Sequence, residues 1–225
     1  NLKPPISLGE LSSRIGVTPL SIQFATIQGS RLYGVDTNNS DWDITVISSD
    51  INGYRFVEFS YGDIDYDVNL YSPSEFQSRI NRHEMKELEI LYYPQEAVLL
   101  QTIEFNTQIN RTQLIDMVRK ESDELWNRAK FALDSAQDGY QPLKTIWHSI
   151  RFLIFAEQIL RFGDIRNLSA ANILREPIVN SNRVDFDYFN FNYGALREEM
   201  KSEIGRHIGE SILKVSDKIQ TSPSE

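Results

Sequence analysis

The sequence predicts an α+β protein, with a strand-rich first half and a helical bundle in the second. Three observations carry this. Up to residue 71, short β-prone runs alternate apolar and polar side chains and close on glycine turns, as half-buried strands do. From about residue 112, apolar residues recur at helical spacing over runs much longer than a strand. No internal repeat or long linker separates the halves, so two packed domains are expected, residues 1–100 and 101–225, with the boundary between about 95 and 110.

Taken in order, residues 19–28 (PLSIQFATIQ) are β-prone and end at Gly29-Ser30, where a strand gives way to a tight turn. Residues 42–47 (WDITVI) form a second strand. YRFVEFS and IDYDVNLY, separated by Tyr61-Gly62-Asp63, read as a hairpin carrying the third and fourth. Helical spacing begins in PSEFQSRI and MKELEILYY. It dominates RTQLIDMVRKESDELWNRAKFALDSA and PLKTIWHSIRFLIFAEQIL, where Pro142 suits a first turn and Gly163 a stop. A last amphipathic segment is expected from about residue 194 to 219, followed by a disordered tail, TSPSE.

The 225 residues are 40% hydrophobic, enough for a substantial core. No run approaches the roughly 18 apolar residues of a membrane span, and NLKPPISLGE lacks the regions of a signal peptide. A cytoplasmic protein without a membrane partner is expected. The absence of cysteine excludes disulfides and thiolate ligands, and His83, His148 and His207 are scattered. Any bound metal therefore relies mainly on carboxylates, which suits magnesium or manganese. A net charge of -9 argues against an extended duplex nucleic acid, where clustered cations dominate affinity. It leaves open a small nucleotide, which a few amides, one or two cations and a metal can hold.

In SDWDITVI, side chains alternate across the strand, so Asp41 and Asp43 share one face. Like charges this close are costly unless a cation lies between them. Asp65, Asp67 and Asn69 share a face of the later strand, so an acid there can join the pair across the sheet and make a two-metal site. Alone, SDWD reads better as a turn followed by solvated acids. Its setting changes that reading: Gly29-Ser30 ends the preceding strand, Gly34 follows after three residues, and SDWD after five more. A glycine turn opening a short helix presents backbone amides suited to a triphosphate, and Ser30 adds a hydroxyl.

This pattern resembles the DNA polymerase beta-like nucleotidyltransferase superfamily at Gly29, Ser30, Gly34, Asp41, Asp43 and Asp67. Within it the chain is similar to predicted nucleotidyltransferases of bacteria and phages that carry a C-terminal helical domain. That similarity rests on Asp67-Val-Asn-Leu-Tyr71, Glu75-Phe76, Glu89-Ile-Leu, Lys144, His148, Arg151, Glu157 and Gly163, and covers about two thirds of the chain. The resemblance implies a mixed β-sheet with flanking helices and transfer of a nucleoside monophosphate from a nucleoside triphosphate to a hydroxyl on an RNA end, a protein or a small molecule. It implies two magnesium ions on Asp41, Asp43 and Asp67, with manganese as a substitute. Asp67 would also help deprotonate the acceptor; Asp65 is its competitor, on the same face. Gly29, Ser30 and Ser40 would meet the nucleotide.

Arg31 reads equally as a phosphate contact and as an exposed solubilising side chain. On the helix after Pro142, Lys144, His148 and Arg151 fall on one stripe opposite Ile146, Ile150, Leu153 and Ile154. It reads equally as a solvated face and as a set of cations for the nucleotide. His83 and His207 lack partners at ligand spacing and read as ordinary histidines, and the aromatic run FDYFNFNY reads better as a bundle plug than as a base platform. Two other classes compete: a catalytically silent, antitoxin-like module that binds a nucleotide or a partner, and a non-enzymatic helical interaction protein.

Overall fold

A computed structural model of the chain describes residues 2–135 and 139–206. His207, the last part of the expected amphipathic segment and the tail lie outside the described residues. The chain divides into two compact units between Gln108 and Ile109.

The first unit is built on a five-stranded mixed sheet: β1 (Ile22–Gln28), β2 (Trp42–Ser48), β3 (Tyr54–Tyr61), β4 (Ile64–Tyr71) and β5 (Val98–Gln101), in the order β3-β4-β2-β1-β5. The hairpin of β3 and β4 turns at Gly62 and Asp63, both with the positive φ of +58° and +59° that a tight two-residue hairpin needs. It docks through β4, so β4 runs parallel to β2 while every other pairing is antiparallel. That one parallel pairing positions the site.

The two faces of the sheet differ in character. Ile27, Ile44, Val46, Val68 and Leu70 form an apolar face, buried with Leu11 and Ile15 of α1 (Leu8–Ile15). This helix has no counterpart among the expected elements. Its signals are local: the Ser7 side chain accepts from the Glu10 amide, and Gly16, at φ +74°, stops it. The opposite face carries Gln28, Asp43, Thr45, Asp67, Asn69 and Tyr71. Beyond it lie α3 (Pro73–Asn81) and α4 (Met85–Leu88), the latter continued by a 3₁₀ turn through Tyr92. Residues 19–21, expected to extend the first strand, instead form a 3₁₀ turn beginning at Pro19. His83 is a buried, satisfied histidine at φ +63°, its Nδ1 3.1 Å from the Ile80 carbonyl.

Where β2 leaves the sheet, Asp50 accepts from both the amide and the hydroxyl of Thr18 at 2.7 Å. The Thr18 amide, then its hydroxyl, hold the Asp50 carboxyl below its usual value of 3.8. A depressed carboxyl stabilises the fold above its unfolded pKa, and that contribution is lost as pH falls through the folded value. Asp50→Asn is therefore expected to lower Tm at neutral pH, with the two melting curves converging well below pH 3.8.

The second unit is helical: α5 (Arg111–Asp134), α6 (Tyr140–Phe162), α7 (Asn172–Val179), α8 (Phe186–Phe189), a π turn through Gly194, and α9 (Ala195–Glu203). Asn110 caps α5, and Gly163, at φ +68°, ends α6. The α6 helix is buried over most of its length, which is why its sequence is apolar almost all round. Arg197 and Lys201 of α9 each reach Asp123 of α5 at 2.6 Å. In the aromatic run Phe186, Phe189 and Tyr193 are buried, with Phe186 edge-on to Trp126, whereas Phe191 is exposed. No helix among the described residues is long and apolar enough to cross a membrane.

Candidate active site

The turn after β1 is shaped by what it leaves out. Gly29 adopts φ +76° and ψ −151°, a conformation open in practice only to glycine. A Cβ there would stand 2.0 Å from Asp43 Oδ2, so the Asp43 carboxylate lies against the glycine backbone. The four-residue helix α2 (Ser30–Tyr33) follows at once, closed by Gly34 at φ +72°. The Gly29 carbonyl takes the amides of Leu32 and Tyr33 at 3.0 and 3.1 Å. Ser30 is half-buried at the head of this helix.

Between α2 and β2 the chain folds into a short loop held by two more of the residues expected at the nucleotide, Arg31 and Ser40. Ser40 Oγ accepts from the Thr37 amide at 2.8 Å. Arg31 donates to the Ser40 carbonyl at 2.5 Å and to Asp36 at 3.3 Å, and its guanidinium stacks 4.2 Å from the Trp42 ring. The Arg31 side chain is only 17% exposed, so it straps the loop that feeds β2 and is no solubilising residue.

The parallel register aligns Asp43 with Asp67 and Thr45 with Asn69. Paired positions on neighbouring strands stand about 4.8 Å apart and project to the same side. Both acids are half-buried. Asp65 sits two residues outward, exposed, and takes the Ser60 hydroxyl across the hairpin. Asp41 precedes β2 and is also exposed. Among the described residues, no three Asp, Glu or His side chains are gathered closely enough to hold a metal ion. In donor chemistry the acids fit a hard divalent cation, being oxygen ligands only. In placement they offer a close pair, Asp43 with Asp67, and Asp41 at the exposed end of the same strand.

Behind the pair lies a polar wall. Asn69 Oδ1 accepts from Lys86 Nζ at 2.7 Å and from the Tyr54 hydroxyl at 2.8 Å. Gln28 links Thr45, at 2.7 Å, to the Lys86 carbonyl, at 3.3 Å. Glu87 is buried and accepts from Tyr71 at 2.7 Å and Arg79 at 3.1 Å; Arg79 also reaches Glu75 at 2.7 Å. Glu89, also buried, takes the hydroxyls of Tyr33 and Tyr93. Burial lowers the Lys86 ammonium from its usual value, against the pull of Glu87, Asp43 and Glu89. Burial raises Glu87, against its hydrogen bond from Tyr71 and the charges of Lys86 and Arg79. Of this wall, Asn69, Tyr71, Glu75 and Glu89 are marked in the sequence by strand alternation or by the resemblance, whereas no spacing marks Lys86, Tyr54, Arg79 or Glu87.

In the second unit, α6 carries Lys144, His148 and Arg151. Arg151 is only 3% exposed, with its Nε 3.0 Å from His148 Nδ1 and its guanidinium 4.8 Å from the Phe155 ring. Lys144 is half-buried, its ammonium 5.3 Å from the Tyr140 ring. Of the stripe, Arg151 is buried, while Lys144 and His148 keep partial exposure.

No family model and no curated protein matches the chain. Among solved structures, the chain is similar to a nucleotidyltransferase-like protein from Exiguobacterium sibiricum, at 9% identity and a TM-score of 0.31, over 91% of this chain and 76% of that one. A likeness this distant assigns neither family nor activity. The fold itself is α+β, with a mixed five-stranded sheet, two aspartates in register on its polar face, and a glycine turn pressed against one of them.

Proposed function

We propose that the protein is a metal-dependent nucleotidyltransferase that moves a nucleoside monophosphate from a nucleoside triphosphate to an acceptor hydroxyl. One observation carries the reading: Asp43 and Asp67 are paired in register beside a glycine turn with no room for a side chain. Like charges on neighbouring strands repel, and a cation shared between them relieves that repulsion.

In the balanced step the acceptor oxygen bonds to the α-phosphorus, the bond from that phosphorus to the β-bridging oxygen breaks, and pyrophosphate leaves. The acceptor proton passes to a base, the role assigned to Asp67. The close pair Asp43 and Asp67, with Asp41 expected to join them from the exposed start of β2, would hold magnesium, or manganese in its place, which when bound stabilises charge on the attacking and leaving oxygens. Gly29 lets the backbone approach the nucleotide, and Ser30 offers a hydroxyl to a phosphate oxygen. The acceptor would be an RNA end, a protein hydroxyl or a small molecule; the charge of -9 disfavours extended duplex nucleic acid.

A second reading, a catalytically silent nucleotide- or partner-binding module, is favoured by the exposed position of Asp41 outside the close pair. The two diverge in one experiment. Each nucleoside triphosphate is added with and without magnesium and Tm recorded, and the labelled triphosphate is then incubated with cell lysate. At a ligand concentration about 100 times Kd, binding stabilises by about 2.7 kcal/mol, or roughly 5–10 °C for a chain of this size. The transferase reading expects that shift only with magnesium, together with label transferred to an acceptor. A shift without transfer supports a silent nucleotide-binding module, and no shift with any triphosphate removes the transferase and leaves only a partner-binding module.

A further inference from the structure

If the acid face receives a triphosphate, its charge needs more than metal ions. Three aspartates and a nucleoside triphosphate outweigh two divalent cations, so at least one side-chain cation belongs beside them. The first unit contains five arginines, at 14, 31, 55, 79 and 82, and two lysines, Lys3 and Lys86. Each arginine is already committed. Arg14 pairs with Glu10, Arg31 with Asp36 and the Ser40 carbonyl, and Arg55 with the Ile15 carbonyl. Arg79 pairs with Glu75 and Glu87, and Arg82 with Glu84. Lys3 lies exposed on the N-terminal segment.

Lys86 differs from all of these. Its ammonium donates to a neutral amide, Asn69 Oδ1, at 2.7 Å, and no carboxylate lies within ion-pair distance of it among the described residues. It is half-buried, so solvent compensates the charge poorly. Asn69 lies on the same face of β4 as Asp67, two residues along, and is held from its other side by Tyr54 at 2.8 Å. An ammonium carries three donors, and the bond to Asn69 uses one. The two remaining donors sit on a cation that faces the Tyr54 ring at 5.6 Å and forms no close ion pair beside the acids.

We propose that Lys86, held by Asn69 beside Asp43 and Asp67, is the cation of the acid face that binds the phosphate chain of the nucleoside triphosphate. The inference rests on the transferase reading above and names the residue that would contact its substrate's phosphates.

The test measures binding, not turnover. Magnesium complexes of the best-stabilising nucleoside triphosphate, of its monophosphate, and of base-free inorganic tripolyphosphate are titrated calorimetrically into the parent protein, Lys86→Gln and Lys86→Arg. A desolvated phosphate contact is expected to be worth a loss of about 30-fold or more for the triphosphate and for tripolyphosphate in Lys86→Gln. The monophosphate should change by less than about threefold, and Lys86→Arg should recover most of the affinity. Lys86→Met, which keeps the length and packing of the stem, takes the place of Lys86→Gln if the latter does not fold. Equal triphosphate affinity in the neutral variants, or an equal loss for all three ligands, overturns the role of Lys86 and leaves the transferase reading standing. A parent protein that binds no triphosphate in the presence of magnesium overturns both.

Discussion

Asp67→Asn is expected to lower the transfer rate by about a thousandfold or more, equivalent to roughly 4 kcal/mol in the barrier, while Asp65→Asn stays within about threefold of the parent. The contrast follows from register. Asp67 faces Asp43 across the parallel pair, whereas Asp65 lies two residues outward, exposed and engaged by the Ser60 hydroxyl. The amide is nearly isosteric with the carboxylate, so the fold has no steric reason to respond. Removing one of two like charges on neighbouring strands should leave the Tm of the metal-free protein unchanged or slightly raised. Activity and stability moving in opposite directions is the mark of an acid kept for chemistry. A large loss for Asp65→Asn with little for Asp67→Asn would exchange the two assignments, and equal small losses would argue that neither takes part.

In the sequence, Asp67 is preferred to Asp65 only through the resemblance, by its spacing to Tyr71 and Phe76. Asp65 and Asp67 are two residues apart on one strand, so alternation puts both on the same face and local spacing cannot separate them. The long-range docking of β4 against β2 sets Asp67 opposite Asp43, and pairing partners of that kind leave no local trace. The hairpin itself was legible because Gly62 and Asp63 supply left-handed conformations between two alternating runs. The edge strand β5, four residues of VLLQ, has neither alternation nor punctuation, and its partner β1 lies more than seventy residues earlier.

The polar wall escaped for a related reason. MKELE reads as a solvated helical turn, yet Glu87 and Glu89 are buried and Lys86 half-buried, because the short helix lies against the polar end of the sheet, where Tyr71, Asn69 and Tyr33 supply partners. Burial of charged residues depends on such tertiary partners, which periodicity cannot foresee. Arg31 shows the same limit from another side. Its place after Ser30 suggested phosphate or solvent, while its geometry turns it back onto Ser40 and Trp42. The α1 helix is the opposite case, since Ser7 three residues before Glu10, with Gly16 beyond, was a readable start and stop.

Gly29→Ala is expected to lower stability by about 2–4 kcal/mol, or roughly 4–16 °C in Tm, and to abolish triphosphate binding. Two penalties combine. An alanine cannot readily adopt φ +76° with ψ −151°, and the added Cβ would stand 2.0 Å from Asp43 Oδ2 and 2.6 Å from its Cγ. Rotating the carboxylate would clear those atoms, but Asp43 Cβ itself would remain 2.9 Å away, so β1 and β2 must also shift. Either response displaces Asp43 from the position opposite Asp67. The strain belongs to Gly29 alone, whereas the clash belongs to the pair, and a double-mutant cycle separates them. Asp43→Ala removes the obstructing Oδ2 and Cγ, so the double variant should be more stable than the sum of the single effects by about 1–2 kcal/mol, with binding still absent. Strict additivity in thermal or denaturant unfolding would mean that the glycine is required only for its backbone angles and that the carboxylate does not press on the turn.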